Sequence, residues 1–227
     1  MRFAFLTLTA AAWLFVPVPA PAETLQDVLA RMDQGAKGFK CMVADLKRVT
    51  HTAVLNDNSE DTGKVRMKRF GSRDLRIAID FISPDQSTVV FRGQKLEKYF
   101  PKIKTVQVYD LGKQRQLVDQ FLLLGFGTSS KELSNSYDIK FLGSDRANGQ
   151  SAWHLELIPK SAQAREHLKK VDLWISAANG QPVQQKFQEP SGDYHLIAYS
   201  NVQLDVNISD QAFNLPTKGV KREYPQK

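Results

Sequence analysis

From Val43 to Val206, apolar and polar residues alternate with a period of two in one stretch after another. That rhythm restricts the chain to half-buried strands more tightly than any other feature it has. Val65 and Met67 alternate with Lys64, Arg66 and Lys68, and Leu75, Ile77, Ile79 and Phe81 alternate with Arg76, Ala78 and Asp80. Further runs occupy 88–92, 96–100, 105–111, 139–143, 152–158, 171–176, 183–189 and 194–206. The connections are short and turn-like, among them Ser83-Pro84-Asp85, Arg92-Gly93-Gln94, Ala147-Asn148-Gly149 and Ala178-Asn179-Gly180. Turns of that length join antiparallel neighbours and leave no room for crossovers, so the pattern predicts a meandering sheet of about ten or eleven strands.

Three stretches depart from this rhythm. Leu25, Val28, Leu29 and Met32 recur at spacings of three and four behind Thr24, with Asp27 three positions on, which predicts a capped amphipathic helix ended by Gly35 and Gly38. Residues 116–127 hold Leu117, Val118, Phe121, Leu122, Leu123, Leu124 and Phe126, a helix-like composition very apolar for a connection. Ser161 to Lys169 is polar and predicts a helical turn. A sheet with one buried face needs a cover, and the first helix with the 121–126 segment is the apolar material that this reading assigns to it.

The start of the chain reads differently. Arg2 is followed by an apolar run from Phe3 to Val18 and then by Ala20-Pro21-Ala22, the order of a secretory signal peptide cut before Glu23. The run is shorter than the ~20 residues of a bilayer-spanning helix and is followed closely by Pro19 and Pro21 after Pro17. The expectation is therefore a cleaved segment at 1–22 and one exported domain at 23–227, with no cysteine at the cut to carry a lipid. Cys41 is the single cysteine, so no internal disulfide and no multi-cysteine metal site can form.

Recognisable catalytic signatures are missing. His51, His154, His167 and His195 are scattered, with no HExxH pair, and the chain has no GxSxG elbow, GxxxxGK[ST] loop or GxGxxG turn. The alternation puts His154 and His195 on outward faces beside Trp153/Leu155 and Tyr194/Leu196. These observations favour a protein that is not an enzyme and that uses no cofactor or metal.

The sequence carries a charge of +7, and six cations, Lys64, Arg66, Lys68, Arg69, Arg73 and Arg76, crowd around one acid, Asp74. Nucleic-acid surfaces interleave such charge with several exposed aromatics, whereas Phe70 is the only aromatic here. The stripe reads as a solvated outer face, or as a docking surface for an acidic partner or anionic lipid. Arg69 stands apart. In a regular strand it shares the apolar face of Val65 and Met67, where its five donors need partners. Otherwise the strand ends or bulges there, with Gly71 helping the chain turn.

Taken together, the first helix, Val65-Arg66-Met67-Lys68-Arg69, the later Pro84-Asp85, the Leu-rich middle, Leu155-Glu156-Leu157-Ile158-Pro159-Lys160 and Ile208-Ser209-Asp210-Gln211-Ala212-Phe213-Asn214-Leu215-Pro216 resemble the periplasmic LolA family of outer-membrane lipoprotein carriers and sorting proteins. The resemblance implies an α+β protein, an incomplete antiparallel β-barrel with a helical lid over an apolar cavity. It implies lipoprotein acyl chains or other lipids as cargo, an inner-membrane lipoprotein-releasing transporter and an outer-membrane acceptor as partners, and a monomer that binds no nucleic acid. Arg69 matches the arginine that holds the family's lid closed, although Phe70 follows it here where the family has proline. Val65, Met67, Leu75, Ile77, Ile79, Val89 and Phe91 would line the sheet side of the cavity. Leu25, Val28, Leu29 and Met32, with Phe121, Leu122, Leu124 and Phe126, would line the lid. The same residues also fit a simply packed core, and related proteins on the same fold act as envelope sensors, so a non-catalytic regulatory module is the alternative reading.

Overall fold

The computed structural model describes residues 23–71, 74–112, 124 and 126–225. Twelve strands form one sheet: β1 (Cys41–Thr52), β2 (Asp57–Arg69), β3 (Leu75–Ser83), β4 (Ser87–Arg92), β5 (Lys95–Phe100), β6 (Thr105–Asp110), β7 (Tyr137–Ala147), β8 (Gln150–Pro159), β9 (Lys170–Ser176), β10 (Pro182–Gln188), β11 (Tyr194–Leu204) and β12 (Lys221–Glu223). Among the described residues three α-helices accompany them, α1 (Leu25–Ala36), α2 (Ser130–Ser136) and α3 (Ala162–Arg165). The strand order is β12-β6-β5-β4-β3-β2-β1-β11-β10-β9-β8-β7. The terminal strands β12 and β7 do not pair, so the curved sheet stays unclosed. Every pairing is antiparallel except β12 on β6, where Lys221 lies opposite Thr105 in a parallel ladder.

Side-chain alternation gives the sheet two faces. On the concave face, Met67 pairs with Ile77 and Ile77 with Phe91, while Val65 pairs with Ile79 and Ile79 with Val89. The face continues through Leu46 and Tyr199 to Gln185, Leu173 and Leu155. Gly63 on β2 is required by a close approach: any Cβ there would run into the Asp80 carbonyl, beside the irregularity in the β2–β3 ladder.

Among the described residues, α1 fills only one part of the trough. The Thr24 and Asp27 capping box starts α1 as the sequence predicts. Val28 and Met32 are fully buried, however, against Leu155, Leu157, Leu173 and Ile175 of β8 and β9, with Leu25 and Leu29 at the margin of the same cluster. The turn between β9 and β10 clasps α1 from its other end, where Gln181 donates to the Gly35 carbonyl at 2.9 Å. Asp33 accepts from the backbone and hydroxyl of Ser130, both at 2.7 Å, and fastens α1 to the start of α2. The β1–β5 part of the trough is left without helical filling from α1.

The convex face of β1–β6 is covered as well, which the single-cover reading of the sequence did not provide for. After β11 the chain crosses that face as a strap. Ile208, Phe213 and Leu215 bury themselves against Cys41, Ala78, Val90, Val106 and Val108. Polar clamps pin it down: Lys68 donates to the Ile208 carbonyl and to Asp210, both at 2.7 Å, and the Cys41 thiol contacts the Val206 carbonyl. The Glu97 side chain, only 5% exposed, pairs with Arg92 at 3.0 Å and with Arg222 of β12 at 2.7 Å.

Candidate functional site

A cavity of about 530 Å³ lies on the concave face, between β1–β5 on one side and β10–β11 on the other. Its walls are mostly apolar, with Val65, Met67, Ile77, Ile79, Val89 and Phe91 contributed by β2, β3 and β4 and Ile197 and Phe187 facing them. A strand presents every second side chain to such a space, so period-two alternation is what builds a smooth apolar wall. Of the residues that the sequence assigns to the sheet side, Leu75 alone does not border the cavity; it belongs to the adjoining core cluster.

The lid residues distribute differently. Leu25, Val28, Leu29 and Met32 pack with β8 and β9 and do not border the cavity. Helical amphipathicity identifies the face that is buried but not its partner, and here the partner is the neighbouring half of the sheet. Phe121 and Leu122 lie outside the described residues. Leu124 and Phe126 are buried, at 2% and 0% exposure. Phe126 meets Tyr199 edge-on at 5.1 Å. Gln185, a fully buried amide, donates to the Leu124 carbonyl and accepts from the Tyr199 hydroxyl. Burial pushes the Tyr199 phenol far above its ordinary range, so it stays a neutral donor. These contacts fix Leu124 and Phe126 at the end of the cavity marked by Tyr199 and Gln185.

Arg69 reaches the same segment. β2 remains regular to its end, Arg69 pairs with Leu75, and its backbone amide donates to the Lys40 carbonyl at 2.8 Å. Gly127, at φ +66°, packs so closely that a Cβ would stand 3.0 Å from Arg69 Nη2 and 2.9 Å from Phe39 Cδ1. The Glu132 carboxyl is held below its ordinary range by the Ser129 backbone amide and hydroxyl, with a further contribution from the Arg69 charge. Arg69 therefore projects from the end of β2 toward Gly127.

Polar and ionisable side chains border the cavity at the opposite end: Arg48, Lys98, His167, Glu189 and His195. His195 belongs here and not on the outward face that the sequence suggested. Both faces of β11 carry apolar side chains, so alternation alone misassigned it, and Ile197 and Tyr199 take the inward side. Thr50 holds its Nδ1 at 3.1 Å. Burial lowers the His195 pKa, reinforced by Arg48 and opposed by Glu189 and Asp193, so the ring favours its neutral form. Arg48 bridges to Asp61 at 2.7 Å and lies 4.4 Å over the Phe81 ring. His154 does face outward, but it is stacked on Trp174 at 4.4 Å and bound to Asp172 at 3.1 Å.

The basic stripe is largely neutralised by acids. Arg66 pairs with Asp80 at 2.6 Å, Lys68 with Asp210 at 2.7 Å, Arg76 with Asp74 at 2.9 Å and Lys64 with Asp45 at 3.4 Å. Three of those acids lie outside the stretch in which the cations cluster, which is why the sequence reads as unbalanced. Arg73 is outside the described residues. Among the described residues no group of three or more His, Cys, Asp or Glu side chains is placed to hold a metal ion.

Comparison with known proteins agrees with this geometry. None of the curated proteins matches the chain. Among solved structures, an uncharacterized conserved protein from Thermus thermophilus is 13% identical, with a TM-score of 0.55 over 88% of this chain and 98% of its own. MucB is 15% identical, with a TM-score of 0.52 over 85% of this chain and 63% of its own. A putative outer membrane lipoprotein-sorting protein domain from Vibrio parahaemolyticus is 13% identical, with a TM-score of 0.46 over 83% of this chain and 95% of its own. At these identities the likeness to the first two is one of fold. The family model for the outer membrane lipoprotein carrier protein LolA matches residues 38–216, from the approach to β1 through the convex strap, and the chain belongs to the LolA family.

Proposed function

We propose that this chain is an exported periplasmic carrier that shelters the acyl chains of a lipoprotein, or of another lipid, in the concave cavity and moves them toward the outer membrane. The family is one of non-catalytic periplasmic carriers. The observation that supports the finer reading is the apolar cavity itself, which α1 leaves unfilled beside a helix-packed half of the same sheet. Hiding hydrocarbon from water is favourable by roughly 0.8 kcal/mol per CH₂, so such a surface takes up acyl chains and releases them only where an apolar alternative is offered. In this reading residues 1–22 direct export and are removed, the protein works as a monomer, and it receives cargo from an inner-membrane releasing transporter and yields it to an outer-membrane acceptor.

Filling the cavity tests this directly. Val89 borders it and is only partly buried, so Val89→Trp is expected to project an indole into the space and leave the fold intact. Binding of a triacylated lipopeptide, measured by native mass spectrometry without detergent, should fall by more than about tenfold. Unchanged binding in a folded variant would place the cargo elsewhere.

Arg69 is the latch in this reading, because its guanidinium lies close beside Gly127. Arg69→Leu is expected to preserve the circular-dichroism spectrum and to change the rate at which bound lipopeptide passes to acceptor vesicles. Equal transfer by mutant and wild type would remove the latch role.

A further inference from the structure

The four most exposed large apolar side chains among the described residues are Val54 at 88%, Leu55 at 72%, Ile103 at 67% and Ile82 at 52%. They are not scattered. Val54 and Leu55 form the turn between β1 and β2, Ile82 ends β3 at the turn into β4, and Ile103 lies in the single-turn helix between β5 and β6. Successive antiparallel hairpins put those three turns at one end of the sheet. Direct contacts hold parts of this rim together. Lys102 bridges to Asp85 at 2.6 Å and joins the second turn to the third. Asp193 accepts from the Ala53 amide at 2.7 Å, and His51 stacks on Tyr194 at 4.7 Å, which fixes the first turn to β11.

This is also the end toward which the cavity turns polar. Arg48 on β1 and His195 on β11 lie closer to it than Leu46 and Tyr199, while Leu124 and Phe126 occupy the opposite end. We propose that the rim formed by the β1–β2, β3–β4 and β5–β6 turns docks on a lipid bilayer, inserting Val54, Leu55, Ile82 and Ile103 among the headgroups and setting the polar end of the cavity against the membrane. This rests on the acyl-carrier reading above. The apolar side chains stand on separate tips with polar residues between them, which suits insertion into a deformable interface better than it suits a preformed protein groove. Asp85 neutralises Lys102 at 2.6 Å, so insertion is apolar and needs no strongly anionic surface. An acyl chain then crosses from bilayer to cavity without traversing water, whose avoidance is the function of the cavity.

The test is co-sedimentation of the purified chain with phosphatidylethanolamine and phosphatidylglycerol vesicles, alongside triacylated lipopeptide binding in solution. The double variant Val54→Asp, Leu55→Asp alters side chains that carry no core packing. It should bind vesicles more than about tenfold less than wild type while binding lipopeptide equally well. Leu142→Asp, an exposed position on β7 remote from the rim, should behave as wild type in both assays. Vesicle binding that is unchanged in the double variant, or absent in wild type while lipopeptide binding persists, would overturn the membrane assignment and leave the tips to a protein partner. Vesicle binding that depends on the tips, with no lipopeptide bound, would instead defeat the acyl-carrier reading and keep the docking surface.

Discussion

Replacing Phe213 by Ala is expected to lower the free energy of unfolding by about 3–5 kcal/mol. Its side chain is fully buried on the convex face, edge-on to Phe70 at 5.7 Å and enclosed with Ile208 and Leu215 over Val90 and Val106. The site collapses poorly because its floor is a hydrogen-bonded sheet and its roof is pinned at both sides, by Lys68 to Ile208 and Asp210 and by Arg92 to Asn214. For a chain of this size the loss amounts to a fall in melting temperature of about 2–4 °C per kcal/mol. Urea denaturation of the two proteins measures it. A difference below about 1 kcal/mol, the ordinary scale of point substitutions, would mean that the strap is an accessory and not part of the core.

Phe126→Ala is expected to cost a similar 3–5 kcal/mol without any loss of cargo binding. Phe126 belongs to the same cluster as the cavity wall and rests on Tyr199, which borders the cavity. Removing the ring opens apolar space at the end held by Gln185 and Leu124. Stability and binding therefore separate: the variant unfolds at lower urea yet, below its transition, binds triacylated lipopeptide at least as well as wild type. Parallel loss of both would show that Leu124 and Phe126 support the wall and do not close it. Together with Val89→Trp, which removes space while sparing the core, the substitution brackets the cavity from both directions.

Much of this architecture is legible in the sequence because alternation is a local signal. The strands from Val65 to Phe91, their antiparallel order and the concave assignment of Val65, Met67, Ile77 and Ile79 all follow from which residues share a parity. The strap is not legible in that way. Ile208, Phe213 and Leu215 are irregularly spaced, and β12 is only Lys221–Glu223, paired in parallel; no periodicity announces a segment whose conformation is set by the face it covers. β11 fails for the converse reason: Leu196 and Ile197 offer apolar side chains to both faces, so parity alone does not choose, and packing put His195 at the cavity. For α1 the sequence identifies cap, span and buried face correctly, but its partner is a tertiary matter, and the helix fills the β8–β9 half of the trough instead of lying over the cavity. The apparent excess of charge around β2 disappears once distant acids such as Asp210 and Asp45 are brought alongside.

The central claim is that the concave face takes up acyl chains. Photo-crosslinking tests it most directly, using a triacylated lipopeptide with a diazirine in its acyl chains, bound in solution and followed by peptide mapping. The account predicts adducts on β2, β3 and β4 at the inward positions, Met67, Ile79 and Val89 foremost. Adducts confined to the convex strap, or spread over exposed turns with none on those inward positions, would contradict it.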